Sequence, residues 1–266
     1  MTNPLIQTLK ARIPGESFRL PSQALFYTNG ELDESVKEGE VHVYPMTGID
    51  EIVLRTPDKL LSGEGIAEVF QHCIPQILKP RDLLAKDVDY LLMALRLLSY
   101  GNDLSVSYQH GCENSKSHSY TIPIRPLLRE SRQIDPTTLA QVFVLTTSAG
   151  QVVHLRPALF KNVIEVFQTS VLASGQDEFA DKDLKKIHTD LVEIFVNMIL
   201  EVDGISDRDQ IREWVTLLTP GMLQEIGTKS QEIANWGLNP VVSIECRDCR
   251  QSIPLEVPVN PVSFFI

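Results

Sequence analysis

The sequence predicts an α+β fold in which a helical domain is inserted between two β-hairpins, behind an extended N-terminal arm. Apolar residues alternate on both sides of a turn within 104–124 and again within 241–257, which is the pattern of a hairpin. The roughly one hundred residues between these hairpins are dominated by apolar positions at three- and four-residue spacing, which indicates helices. Residues 1–40 are rich in Pro, Gly and Ser, which predicts an extended arm with little regular structure.

The region 41–130 predicts a strand and helices ahead of the first hairpin. Val41 and Val43 alternate in a short strand, and Thr47 or Asp50 is placed to cap the helix that follows. Two further helices are predicted over GIAEVFQHCI and LLAKDVDYLLMALRLLS, because their apolar residues recur on one helical face.

The region 131–239 predicts another hairpin and then helices. LAQVFVLTTSAGQVVHLRP alternates around a turn near Gly150. Helices are predicted at 157–173, 181–202, 207–218 and 221–235. The last region, 240–266, holds the second hairpin and an aromatic tail.

Composition excludes several classes of protein. The net charge of −11 argues against binding to nucleic acid, because no excess of Lys and Arg is present to neutralise phosphates. No stretch approaches the length of a membrane-spanning helix, and MTNPLIQTLKARIPGES has no apolar leader, so we expect no membrane association and no export. Four cysteines in 266 residues make a disulfide framework improbable, and clustered cysteines then indicate metal binding.

Each hairpin carries metal-type ligands at its tip. The first offers Cys112 and His118, and the second offers Cys246 and Cys249 in a C-x-x-C turn. A Cys₃His set binds zinc tetrahedrally, and four protein ligands indicate a structural site. We therefore predict two zinc knuckles that pair into one ribbon-like site and hold a structural Zn²⁺. An iron–sulfur cluster is disfavoured, because such clusters usually take four thiolates.

Other interpretations of these residues stay open. Cys112 could be a small buried hydrophobe, and the C-x-x-C could be a redox pair, although a redox pair usually opens a helix and here a strand is predicted to follow. His110 competes with His118 as the fourth ligand, and we favour His118 because it begins the outgoing strand. Cys73 lies on an apolar helix and is expected in the core.

Motifs of common enzymes are missing from the sequence. It contains no G-x-S-x-G, no P-loop and no H-E-x-x-H, so no catalytic residue is assigned. The alternative function is a metal-dependent or thiol-redox enzyme that uses Cys246 and Cys249.

Several short elements, taken in order, resemble the baseplate hub assembly proteins of T4-like contractile-tailed bacteriophages. They are LPS…LFY at 20–27, YPMTGIDE at 44–51, DVDYLLMALRLLSYGN at 87–102, the Cys112/His118 knuckle, and the closing C-x-x-C with Asn260-Pro261 and Phe264-Phe265. The resemblance implies a non-enzymatic chaperone or structural protein of tail assembly that binds other hub, spike or tape-measure proteins. It places the protein in the host cytoplasm during assembly, or in the tail baseplate of the virion. Many members carry a second cysteine in the first knuckle, where this chain has Ser115.

The aromatic residues at the two ends of the chain are the predicted partner contacts. They are Phe26, Tyr27, Phe264 and Phe265. Aromatic side chains are enriched at binding hot spots, which favours an anchor for another protein. The alternative is that the terminal pair tucks back against helices of its own domain.

Overall fold

The computed structural model of the protein describes residues 14–112, 116–137, 143–165, 168, 192–233 and 235–259. The strands are β1 (Glu16–Arg19), β2 (Glu40–Val43), β3 (Asp103–Tyr108), β4 (His118–Pro123), β5 (Val144–Thr146), β6 (Val152–Leu155), β7 (Ile199–Val202), β8 (Val241–Glu245) and β9 (Ser252–Glu256). The helices are α1 (Gly48–Leu54), α2 (Pro57–Leu61), α3 (Glu64–Cys73), α4 (Ala85–Tyr100), α5 (Ile124–Arg129), α6 (Arg208–Thr216) and α7 (Pro220–Ile233). Residues 160–165 and 192–198 are also helical. The strands form small antiparallel sheets, so the predicted α+β class is confirmed.

Helix α4 is the centre of the first hydrophobic core. The five consecutive residues Leu91–Leu95 are all buried, and a helix that is apolar on every side must be enclosed by other elements. The elements around it include α3, α5 and the strand pair β1–β2, together with residues of the two hairpins. This core therefore gathers both ends of the described chain around one helix.

Part of the predicted extended arm is built into this core. Within 14–40, β1 pairs antiparallel with β2, and Phe18 lies opposite Val41 in the ladder. Leu20 is fully buried. Within residues 14–40 only Glu16–Arg19 and Glu40 belong to strands, so the prediction of little regular structure holds, but the segment is packed on the core and is not a free arm. Residues 1–13 lie outside the described part of the chain.

A buried hydrogen-bond network fixes residues 22–27 on the start of α4. The carboxylate of Asp87 accepts hydrogen bonds from the backbone N–H and hydroxyl of Ser22 and from the hydroxyl of Tyr27. The backbone N–H of Leu84 in turn donates to the Tyr27 oxygen over 2.9 Å. Burial raises the pKa of Asp87 to about 6. Because every donor here is inside the protein, loss of the carboxylate would leave several polar groups without partners.

A second core lies under the three-stranded sheet β5–β6–β7. Its buried side chains come mainly from that sheet and from α6 and α7, and they include Leu84 just before α4 and Trp236 just after α7. The helix predicted over 181–202 is wrong at its end, because Ile199–Val202 is strand β7 and pairs with β6. Ile199 and Val202 are buried and Leu200 is exposed, so this apolar run lies half-buried on a sheet.

The two predicted cysteine hairpins are present as β3–β4 and β8–β9. In the first, Leu104 pairs with Ile122, and in the second, Val242 pairs with Leu255. They remain separate two-stranded sheets, so no ladder joins them into one ribbon. Their inward side chains instead share the first core, which brings the hairpins side by side.

Candidate metal centre

The C-x-x-C turn follows directly after β8. The backbone N–H of Cys246 donates to the carbonyl of Gln251, and the N–H of Arg250 donates to the carbonyl of Cys246, both over 2.9 Å. Arg250 has a φ of 62°, in the left-handed region that closes tight turns. The two bonds curl the chain so that Cys246 and Cys249 face the same side.

Four donor side chains from the two hairpin tips converge. His110, Cys112, Cys246 and Cys249 each offer one ligand atom, and these atoms all lie within 4.8 Å of one another. The sulfur atoms of Cys112 and Cys246 are 4.0 Å apart, and Nδ1 of His110 is 3.4 Å from the sulfur of Cys249. The group could therefore hold one metal ion between parts of the chain that are far apart in sequence.

His118, the predicted fourth ligand, is not in this group. It is the first residue of β4 and lies opposite Tyr108, the last residue of β3, so it stands at the base of the turn. His110 lies beyond the paired residues and reaches the cysteines instead. Nε2 of His118 is 2.9 Å from Oδ1 of Asp248, inside the C-x-x-C turn. The sequence contained the signal for His110 in its H-x-C spacing with Cys112.

Further contacts hold the two hairpin tips together. The second carboxylate oxygen of Asp248 accepts a hydrogen bond from the backbone N–H of Lys116 over 3.0 Å. On the other side of the turn, the N–H of Arg247 donates to the hydroxyl of Tyr120 over 3.3 Å, and its guanidinium lies 5.3 Å from the centre of that ring. The tips are thus pre-positioned by side chains around the donor group.

The thiols of the group differ in acidity. The backbone N–H of Cys249 is the largest influence on Cys246, and together with the N–H of Asp248 it lowers the pKa of the Cys246 thiol to about 6. Desolvation and the neighbouring thiols raise the pKa of Cys112 to about 11. A thiolate is the form that binds metal, and a cation between the sulfurs would favour ionisation of the others.

A second group of metal-type side chains, Asp50, His72 and Cys73, is also close together. Here Asp50 caps α1, because its Oδ2 accepts hydrogen bonds from the backbone N–H and the hydroxyl of Thr47, both over 2.7 Å. Its Oδ1 lies 2.7 Å from Nδ1 of His72. Cys73 is buried in the core, and burial raises the pKa of its thiol to about 12. In this group Asp50 therefore serves as a helix cap, and the thiol of Cys73 beside it stays protonated.

The aromatic residues predicted as partner contacts have different positions. The ring of Phe26 packs edge-on against Phe143 with centroids 5.1 Å apart, and the Tyr27 hydroxyl binds Asp87. Both residues are partly buried and make packing contacts within this protein, and their role as partner contacts stays a prediction. Phe264 and Phe265 lie outside the described residues.

None of the helices in the described part of the chain is long and apolar enough to span a membrane. The fold and the donor group define a small α+β protein with a candidate cross-link between its hairpins. Residues 31–266 match the model of the family described as T4 bacteriophage base plate protein. The chain belongs to this family. No curated protein and no solved structure matches it.

Proposed function

We propose that the protein is a non-enzymatic component or assembly factor of the baseplate hub, which binds other hub, spike or tape-measure proteins. The observation that carries this proposal is the family match over nearly the whole chain, which indicates a structural role in the phage tail. Assembly in the host cytoplasm and retention in the virion baseplate both fit this role.

A structural zinc ion is the second part of the proposal. Two ligands held tetrahedrally at 2.0–2.3 Å from zinc stand about 3.5–3.8 Å apart. The distances of 4.0 Å between Cys112 and Cys246 and 3.4 Å between His110 and Cys249 are near these values. Three thiolates and one imidazole would fill the coordination sphere, which leaves no open position for a substrate and favours a structural metal.

The alternative is a thiol-redox function of Cys246, which the lowered pKa of its thiol favours. The two functions differ in the state of the thiols. A structural centre keeps Cys112, Cys246 and Cys249 metal-bound through assembly, whereas a redox enzyme must cycle Cys246 through a disulfide. Thiol labelling of the native protein before and after chelation, followed by mass mapping, separates them.

The proposed function is tested in infected cells. A tagged copy is purified during infection, and its co-purifying proteins are identified by mass spectrometry. We expect hub, spike or tape-measure proteins, and we expect them to be lost with Cys246→Ser but kept with Cys73→Ala, the matched control outside the centre. Recovery of none of these tail proteins with the wild-type chain would overturn the proposal.

A further inference from the structure

A large apolar groove lies beside α4, away from the metal centre. It has a volume of about 920 Å³, and in the described part of the chain its lining includes Leu60, Leu92, Phe160, Ile164, Ile233 and Trp236. This is at the upper end of the size of small-molecule sites in proteins. An apolar surface of this extent indicates a site that takes an apolar occupant.

The chain itself leads into this groove after the last strand. Leu255 and Val257 are buried in the first core, and the N–H of Val257 donates to the carbonyl of Pro240 over 2.8 Å. Two residues later, Val259 is packed against the same core and lines the groove. Val259, the last described residue, therefore stands on the groove wall and directly precedes the segment 260–266 in the sequence.

Trp236 supplies an independent sign that the groove takes a polypeptide. Its indole N–H is buried, and the described residues offer it no acceptor. A buried tryptophan N–H normally donates to some acceptor, and a backbone carbonyl is the commonest one available in a protein. An apolar small molecule would fill the groove but leave this donor unpaired, whereas a peptide segment supplies both apolar side chains and carbonyls.

We propose that residues 260–266 of this chain, NPVSFFI, occupy the groove, with Phe264 and Phe265 against its apolar wall and a backbone carbonyl accepting from Trp236. Seven residues reach at most about 25 Å when extended, enough to follow a groove that begins at the preceding residue. Two phenylalanine rings supply large apolar areas that need burial. The proposal makes the aromatic tail part of the fold, and partner contacts then lie on other surfaces.

Trp236 reports directly on the occupant. The chain has two tryptophans, so Trp214→Phe leaves Trp236 as the sole fluorophore. In that background, deletion of 260–266 is expected to shift the emission to the red and to increase acrylamide quenching severalfold. Added peptide NPVSFFI is expected to reverse both changes, and the matched peptide NPVSSSI to reverse neither.

A variant of full length keeps the test decisive if the deletion fails to fold. Phe264→Ser/Phe265→Ser should raise the quenching of Trp236 in the same way. Val163→Asp on the groove wall should do so as well, whereas Leu78→Asp, with a similarly exposed side chain outside the groove, should not. Unchanged Trp236 emission in the full-length Phe264→Ser/Phe265→Ser and Val163→Asp variants overturns the proposal. If hub proteins were lost at the same time, the tail would be a partner anchor.

Discussion

In each of the two groups of metal-type side chains, the donor atoms lie within 4.8 Å of one another, but the surroundings of the two groups differ. His110, Cys112, Cys246 and Cys249 come from two hairpin tips and point at one another. In the other group, the carboxylate of Asp50 is already engaged by Thr47 and His72, and Cys73 is sealed in the core. Short distances between donor atoms are therefore not enough to identify a metal site. The other hydrogen bonds that each donor makes distinguish a candidate metal centre from a helix cap.

The largest effect is expected from breaking the hairpin group. Cys246→Ser should lower the free energy of unfolding by on the order of 5 kcal/mol, a fraction of the ~10–16 kcal/mol that structural zinc contributes in small zinc domains. Chemical denaturation measures it, with Cys73→Ala as control. That control should cost only about 1–2 kcal/mol, because it removes one buried sulfur from the core. Equal losses in the two variants would mean that the hairpin group binds nothing.

The next effect concerns the helix cap. Asp50→Ala should destabilise the protein by about 1–2 kcal/mol, because the N–H and the hydroxyl of Thr47 lose their acceptor. Metal content, measured by elemental analysis, should be unchanged. Loss of a metal ion in this variant would show that the cap group is itself a site.

The two histidines at the hairpin tips, His110 and His118, should differ in their effect on metal binding. His110→Ala removes a proposed ligand and should release the metal at chelator concentrations that the wild type withstands. His118→Ala removes only the contact to Asp248, and we expect a ~10–100-fold weaker metal affinity with the metal still bound in purified protein. Competition with a zinc chelator ranks the two variants. The opposite ranking would restore His118 as the ligand.

A further effect is expected from Asp89, a partly buried carboxyl group that belongs to neither cluster. Burial raises the pKa of Asp89 to about 6, above its ordinary value of 3.8. A raised folded-state pKa gives stability that is present below pH 3.8 and is lost as the pH rises through 6. Asp89→Asn should therefore stabilise the protein at pH 7 by about 1–2 kcal/mol, less than the ~3 kcal/mol of the full pKa shift because the side chain is partly screened by solvent, and have little effect near pH 4. Thermal melts at the two pH values measure it, and a pH-independent effect would contradict the assignment.

The sequence predicted those features whose signals are local. Both hairpins, the C-x-x-C turn and helix α4 follow from alternation, spacing and turn residues that lie within about twenty positions. The sequence favours His118, whereas the structure brings His110 to the cysteines, because the position of each histidine depends on where the β3–β4 ladder ends, and Tyr108 opposite His118 is its last pair. The register of β3 and β4 places Leu104 and Ile122 in the first core, which both hairpins share.

The misassigned segments depended on distant partners. Residues 16–19 pair with 40–43, and Ser22 and Tyr27 bind Asp87, more than fifty positions away. The local sequence of a Pro- and Gly-rich segment does not predict such distant partners. Strand β7 continues the apolar spacing of a helical stretch, and only pairing with β6 makes it a strand. Short apolar runs are ambiguous between helix and strand until their neighbours are known.

Native mass spectrometry of the purified wild-type chain, of Cys246→Ser and of Cys73→Ala tests the central claim most directly. The account predicts one zinc ion per chain in the wild type and in Cys73→Ala, and none in Cys246→Ser. A folded wild-type protein that carries no metal, or a metal ion that stays bound in Cys246→Ser, would contradict it.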